Sequence, residues 1–279
     1  MKTEWISALF ALLAASTWGA GDFSGGIASK RTNALSVVIL AHISSLLLLI
    51  VLIIILHEPV PTTNVWVWGG IAGLCGAIGL VLLYSSLANG KMSIAAPISA
   101  VVAAGVPVVA AAFTSGLPAN IVLCGFGFVL AAIWLISSGN NMTMDLALLQ
   151  KPIIAGFAFG FFFLCLHQAS IQSVLYPLVA VRIVSISSTL IYAQITHQAV
   201  FPTRDSINPI LISGILDTIG NGAYAISAQT GRVDISAVLG SLYPASTVIL
   251  AWIVLKEHIS RKQILGVAAS LTAIILITI

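Results

Sequence analysis

Of eleven Lys/Arg and eight Asp/Glu side chains, only Asp22, Arg182 and Asp217 stand well inside long apolar stretches. A charge at the centre of a lipid-facing helix costs at least about 2.5–3.5 kcal/mol, so such a group turns to a cavity or to a partner. An inward carboxylate can hold a proton or an ammonium group, and an inward guanidinium can attract a carboxylate. If both signs face one cavity, the fitting ligand is an amino-acid-like zwitterion. At helical spacing, Ser213, Asp217, Asn221 and Tyr224 share one face, and Arg182, Ser185, Thr189, Tyr192 and Thr196 share another. With Trp18, Asp22, Tyr84, His167 and Tyr243 these stripes make the candidate binding set: Trp18, Asp22, Tyr84, His167, Arg182, Asp217, Asn221, Tyr224 and Tyr243.

Each member also has a plainer reading. Arg182 can snorkel toward an interface. Asp217 and Asn221 can hold helices together by hydrogen bonding. Asp22 can reach Lys30 or Arg31 as a salt bridge, His167 can be a satisfied core histidine, and the aromatic residues can be packing or interface groups. A different chemistry is a pair of proton-sharing carboxylates. Gly19-Ala20-Gly21-Asp22 spells GxGD, and Asp217 supplies a second acid, as an intramembrane aspartyl protease would need. Four letters are a weak signal in a chain with 23 glycines. No GxSxG, P-loop or HxxxH spacing is present, so the expectation is a non-enzyme with no metal and no cofactor. A membrane scaffold or receptor without transport is the remaining alternative.

The elements carrying these residues are set by composition. The chain is 59% hydrophobic and 7% charged, with a mean hydropathy of +1.11, against roughly 25% charged for an ordinary soluble chain. A formal charge of +3 without basic clusters excludes a nucleic-acid partner. Cys75, Cys124 and Cys165 show no CxxC spacing and read as buried small hydrophobes. A membrane-crossing helix needs about 20 apolar residues. Ten such stretches are marked by charge, Pro and Asn clusters: 4–28, 34–56, 65–88, 93–113, 120–138, 153–171, 176–200, 207–228, 235–255 and 262–279. The first is longer than a signal-peptide core, and Lys2 is balanced by Glu4, so it is expected to remain as a helix. The expected fold class is an all-α integral membrane protein.

A single offset of 141 residues pairs Gly90 with Gly231, Gly125 with Gly266, Gly73 with Gly214, Gly79 with Gly220, Gly19 with Gly160 and Pro61 with Pro202. The chain therefore reads as two copies of a five-helix unit, residues 1–140 and 141–279. An odd number of crossings turns the second copy upside down, which predicts an inverted-repeat pair with its ligand site near the midplane. The same offset carries Asp217 to Gly76, Asn221 to Leu80, Arg182 to Ala41 and Asp22 to Phe163. Glycines are duplicated while the polar groups are not, which suggests an asymmetric cavity rather than scaffold chemistry.

Lys2 and Arg232 fall on the side of the termini, and eight Lys/Arg residues on the other. The positive-inside rule then puts both termini outside the cytoplasm, with the plasma (inner) membrane as the expected location. Gly21 and Gly25, Gly69, Gly73 and Gly76, and Gly156 and Gly160 form close-packing stripes. Pro97 and Pro107 are expected to interrupt the fourth span and Pro244 the ninth, and matched interruptions point to a binding site.

The closing stretch SLYPASTVILAWIVLKEHISRKQILGVAASLTAIILI resembles the last helix pair of the EamA-like family of the drug/metabolite transporter superfamily. Tyr243, Pro244, Glu257, Gln263 and Gly266 match its Leu-Tyr-Pro, Glu-turn and Gln-x-x-Gly pattern. Trp18–Arg31, WGAGDFSGGIASKR, is similar to the Trp-Gly segment of its first helix. The first copy departs from the pattern, with Gly116 in the place of Glu257. The resemblance implies a secondary transporter of small metabolites, often an exporter, with no ATP-binding module. The expected partners are a small-molecule substrate, a coupling proton and the lipid bilayer.

Overall fold

The computed structural model describes residues 2–88, 92–137, 146–255 and 260–278. The chain forms helices α1 (Lys2–Ser29), α2 (Ala34–Leu56), α3 (Thr63–Ala88), α4 (Met92–Thr114), α5 (Asn120–Ser137), α6 (Leu146–Ser170), α7 (Leu175–Ile195), α8 (Ile207–Thr230), α9 (Val233–Gly240), α10 (Tyr243–Leu255) and α11 (Arg261–Thr278). No strand occurs among the described residues. Seven helices there are long and apolar enough to cross a membrane, counting α9 and α10 as one. Three shorter apolar helices, 98–114, 120–135 and 264–273, lie within α4, α5 and α11. Gly90, Lys91, Lys256, Glu257 and His258 lie outside the described residues, as do the side chains of Pro97 and Gln263.

These helices are apolar on nearly all faces, as elements bathed in lipid must be. Ile54, Phe113, Trp134 and Ile195 project from the outer surface, while the interior is dense in small residues such as Ala11, Ala14, Ala72, Ala100 and Ala103. Small side chains let backbones approach closely where no hydrophobic effect drives helices together. Of the three cysteines only Cys165 is buried. Cys75 is half-buried and Cys124 faces outward, where a small apolar thiol is as acceptable to lipid as to a core.

The glycines with an offset of 141 make the same contact twice. A Cβ on Gly79 would strike the Phe159 ring at 2.5 Å, and one on Gly220 the Trp18 ring at 2.5 Å. Trp18 and Phe159 are themselves 141 residues apart. Gly73 lies against the Val181 carbonyl and Gly214 against that of Ala41. Each pair joins one half to the other. The closest helix pairings, α1 with α8, α3 with α6, α4 with α6 and α5 with α11, also cross between halves. The two copies interlock about a shared axis.

Loop contacts follow the same rule. The Glu58 carboxylate accepts the Val174 and Leu175 N–H groups at 3.0 and 3.1 Å, capping the positive N-terminus of α7. Shifted by 141, that contact becomes the one between Asn33 and the 198–199 loop. There the Asn33 amide donates to Gln198 Oε1 at 2.6 Å, and Asn33 Oδ1 caps α2 through the Leu35 N–H at 3.0 Å.

Pro244 does mark a break, with α9 ending at Gly240 and α10 starting at Tyr243. Proline in the first turn of α10 forfeits no helical hydrogen bond. The fourth span differs from expectation. α4 runs continuously from Met92 to Thr114 through Pro97 and Pro107, so the interruption is confined to one copy. α7 stops at Ile195 rather than near 200, because Thr196 caps it and His197 turns left-handed at φ 52°.

Candidate functional site

Helices α1, α2, α3, α4, α6, α7, α8 and α10 converge on a cavity of about 550 Å³, counted out to its mouth. Of that, only about 50 Å³ is free to the centre of a water-sized sphere, room for a few waters in this state. Its lining follows the repeat. Asp217 and Asn221 of α8 face it, as do Gly76 and Leu80, their counterparts on α3. Trp18 and Asp22 of α1 face it together with Phe159 and Phe163 of α6, which stand 141 residues on. The cavity thus sits on the axis relating the two halves, polar on one side of it and apolar on the other.

On the polar side, the Arg182 guanidinium donates through Nη2 to Asp217 Oδ2 at 2.6 Å and through Nε to Ser45 Oγ at 2.5 Å. Asp217 Oδ2 also accepts from Asn221 Nδ2 at 3.2 Å, and Asn221 Oδ1 accepts the Trp18 indole N–H at 2.9 Å. A single chain of bonds therefore runs from α2 through α7 and α8 to α1. Arg182 is 1% exposed. It does not snorkel, because the carboxylate one helix away satisfies it more cheaply than a long reach to the interface. Asp22 shares the cavity but, among the described residues, forms no ion pair. Its Oδ1 accepts only a long bond, 3.4 Å, from the Tyr84 hydroxyl, which also meets Ser213 Oγ at 3.1 Å. No hydrogen bond joins the two carboxylates among the described residues.

The other predicted residues take supporting places. Tyr84 stands behind Asp22, its ring seated where Gly25 has no side chain. Tyr243 lines the cavity and bonds Ser99 Oγ at 2.8 Å and the Ala96 carbonyl at 3.0 Å. Tyr224 is fully buried, donates to the Phe163 carbonyl at 3.2 Å and stacks on Phe163 at 4.7 Å. It props the aromatic wall from behind. His167 lies away from the cavity, one turn beyond the Phe162–Phe163 wall on α6. On α7, Arg182, Ser185 and Thr189 turn inward, whereas Tyr192 and Thr196 are exposed beyond the point where the helix leaves the bundle.

Three features escaped the sequence reading. His42, neutral by convention and therefore absent from the count of charges, lines the cavity and is 2% exposed. Its Nδ1 meets Ser185 Oγ at 2.6 Å, and its Nε2 stands 3.9 Å from Asp217 Oδ2. The signal available was His42 and Ser45, polar groups at i, i+3 in a helix whose other polar residues are Ser36 and Ser44. Phe162 and Phe163, in the phenylalanine run 161–163, point into the cavity. Asp234 is 1% exposed at the mouth of α9, held by Arg232 through bonds of 2.9 and 3.1 Å. That carboxylate raises the Arg232 pKa above its ordinary value. The same guanidinium donates to the Gly116 carbonyl at 2.8 Å, tying the α4–α5 turn, where φ is 73° at Gly116, to the α8–α9 turn.

The EamA-like transporter family profile matches residues 5–138 and again 147–279. The chain belongs to the EamA-like transporter family. It is an integral membrane protein built on the family's inverted repeat, and a membrane transporter of the drug/metabolite type. A solved crystal structure superposes with a TM-score of 0.77 at 14% identity, over 97% of this chain and 95% of that one. That likeness concerns the fold. Comparison with curated proteins gives no match.

Proposed function

We propose that this EamA-like protein is a secondary active transporter, working as an exporter of small, amino-acid-like metabolites by alternating access around the axial cavity. In this reading ten spans, with residues 1–140 and 141–279 as the two repeat units, form one transport body. The termini lie outside the cytoplasm. The observation that carries it is the cavity itself: a pocket at the crossing of two inverted copies, holding charges of both signs among aromatic walls. A site on the axis can open to either side as the helices around it re-pack, which is how inverted repeats serve transport.

Trp18, Asp22, Arg182, Asp217, Asn221 and Tyr243 would contact the ligand, with Tyr84 and Tyr224 behind them. A ligand ammonium suits Asp22, whose carboxylate meets no cationic partner among the described residues. The protease alternative is disfavoured because Asp217 is engaged by Arg182 and Asn221, not by Asp22. The test is a melting screen of purified protein with amino acids, purines, sugars and cationic drugs, since a ligand of the folded state must raise the melting temperature. Any stabilising compound is then followed in proteoliposome counterflow. Accelerated exchange, abolished in Asp22→Asn, is expected. Sealed vesicles without flux for any stabilising compound would favour a scaffold or receptor.

A further inference from the structure

The zwitterion reading meets an obstacle in the geometry. The guanidinium that should receive a ligand carboxylate is already held by Asp217 at 2.6 Å. Donors other than those to Asp217 and Ser45 remain, but Asp217 offsets the positive charge, and drawing it away would restore the full attraction of Arg182 for a second carboxylate. His42 is placed to do so. It projects from α2 into the cavity, buried, with Nδ1 anchored on Ser185 of α7 and Nε2 without a hydrogen-bond partner among the described residues. With Nδ1–H donated to Ser185, Nε2 presents a lone pair toward the Asp217 carboxylate across 3.9 Å. Two acceptors facing each other at that distance lack a proton between them. An unpaired buried nitrogen carries a desolvation penalty that a proton shared with a carboxylate would remove.

We propose that His42 Nε2 is the site at which the cavity takes up a coupling proton, and that the resulting imidazolium draws Asp217 off Arg182 so that the guanidinium binds the carboxylate of the substrate. The proposal rests on the transporter reading and specifies its coupling. The proton comes from water and goes to the Nε2 lone pair; no covalent bond is broken. The groups facing His42 are Arg182 from α7, Asp217 from α8 and, across the cavity, Asp22 from α1 with Tyr84 of α3 behind it and Tyr243 from α10. The Arg182–Asp217 pair is neutral as it stands; a substrate carboxylate adds one negative charge to it and a proton on His42 one positive, so the two together leave its charge unchanged. Proton and carboxylate thus bind together, each favouring the other by the same factor. Anchoring on Ser185 makes the shift short, since Nε2 need only close the gap to Asp217.

The experiment uses three isosteres, phenylalanine, 3-phenylpropanoate and phenethylamine, with the full-length protein in weakly buffered detergent. Binding of either carboxylate-bearing probe is expected to take up about one proton per site and to tighten about tenfold for each unit fall in pH. Phenethylamine is expected to bind without uptake. In His42→Gln the carboxylate probes should lose both the uptake and the pH slope. As a check independent of that variant's folding, wild-type protein labelled with ¹⁵N-histidine should show one of its five imidazoles becoming an imidazolium when 3-phenylpropanoate is added. Undiminished uptake in His42→Gln, or no imidazole changing state, overturns the proposal. Binding of phenethylamine alone overturns it too, while leaving a transport cavity for cations. If no probe binds, the carboxylate class is wrong, and counterflow with compounds from the wider screen decides whether the transporter reading also falls.

Discussion

Arg182 is the residue on which the interior depends most. Its charge is buried, and Asp217 is the partner that makes burial tolerable. Removing one member of such a pair leaves an uncompensated charge and costs on the order of 3–5 kcal/mol. Asp217→Asn is therefore expected to lower the melting temperature sharply, and Arg182→Gln likewise. The double variant should melt above either single one, because two neutral amides strand no charge. Equal melting of all three would mean that the ion pair is not formed in the folded protein. Asn221 differs in kind. It joins Asp217 to the Trp18 indole, so Asn221→Ala is expected to cost about 1–2 kcal/mol in melting by leaving that indole N–H unpaired. Its larger effect falls on ligand binding, where Trp18 loses its fixed orientation.

At the scale of helices, glycine position decides which substitutions the bundle can absorb. Gly73 and Gly214 meet backbone carbonyls of the opposite half, which cannot move aside as a side chain can. Gly73→Ala and Gly214→Ala are expected to destabilise by about 1–3 kcal/mol each, the cost of overpacking. Gly105 and Gly127 also lie in helices, but a Cβ there would meet nothing within 4 Å. Gly105→Ala and Gly127→Ala should stabilise by up to about 1 kcal/mol through helix propensity alone. Thermal melts of the four variants, with opposite signs for the two pairs, check the interlocked packing directly. The α9–α10 break invites a similar comparison. Gly240 leaves room for the Trp18 ring at 3.1 Å, so Gly240→Leu is expected to displace that ring and to impair binding more than folding.

Over the whole molecule, orientation is the property that the proposed exporter role most needs. Val60 is 74% exposed in the turn between α2 and α3, and Lys30 is exposed at the opposite end. In a background where Cys75, Cys124 and Cys165 are replaced by alanine, Val60→Cys is expected to react with an impermeant thiol reagent in intact cells. Lys30→Cys should react only after the membrane is opened. The reverse pattern would invert the orientation drawn from the Lys and Arg distribution.

The all-helical membrane class, the repeat and its inversion were legible in the chain because each rests on a local or periodic property. Lipid demands long apolar helices wherever the backbone crosses it, and duplication leaves an offset that survives divergence at glycines where no side chain fits. Asp22, Arg182 and Asp217 were legible for a related reason: burying a charge is costly enough to stand out from any apolar background. What tertiary structure alone decided is who meets whom. His42 and the phenylalanines of α6 carry no formal charge, so only their placement against Asp217 and Trp18 distinguishes them from ordinary packing residues. The engagement of Arg182 by Asp217 was equally hidden, since the two lie on different helices and no spacing along the chain encodes their contact. The continuity of α4 through its prolines is of the same kind. A proline's lost hydrogen bond can be compensated by the neighbouring helices that pack around it, and the chief neighbour of α4, α6, comes from the other half of the chain.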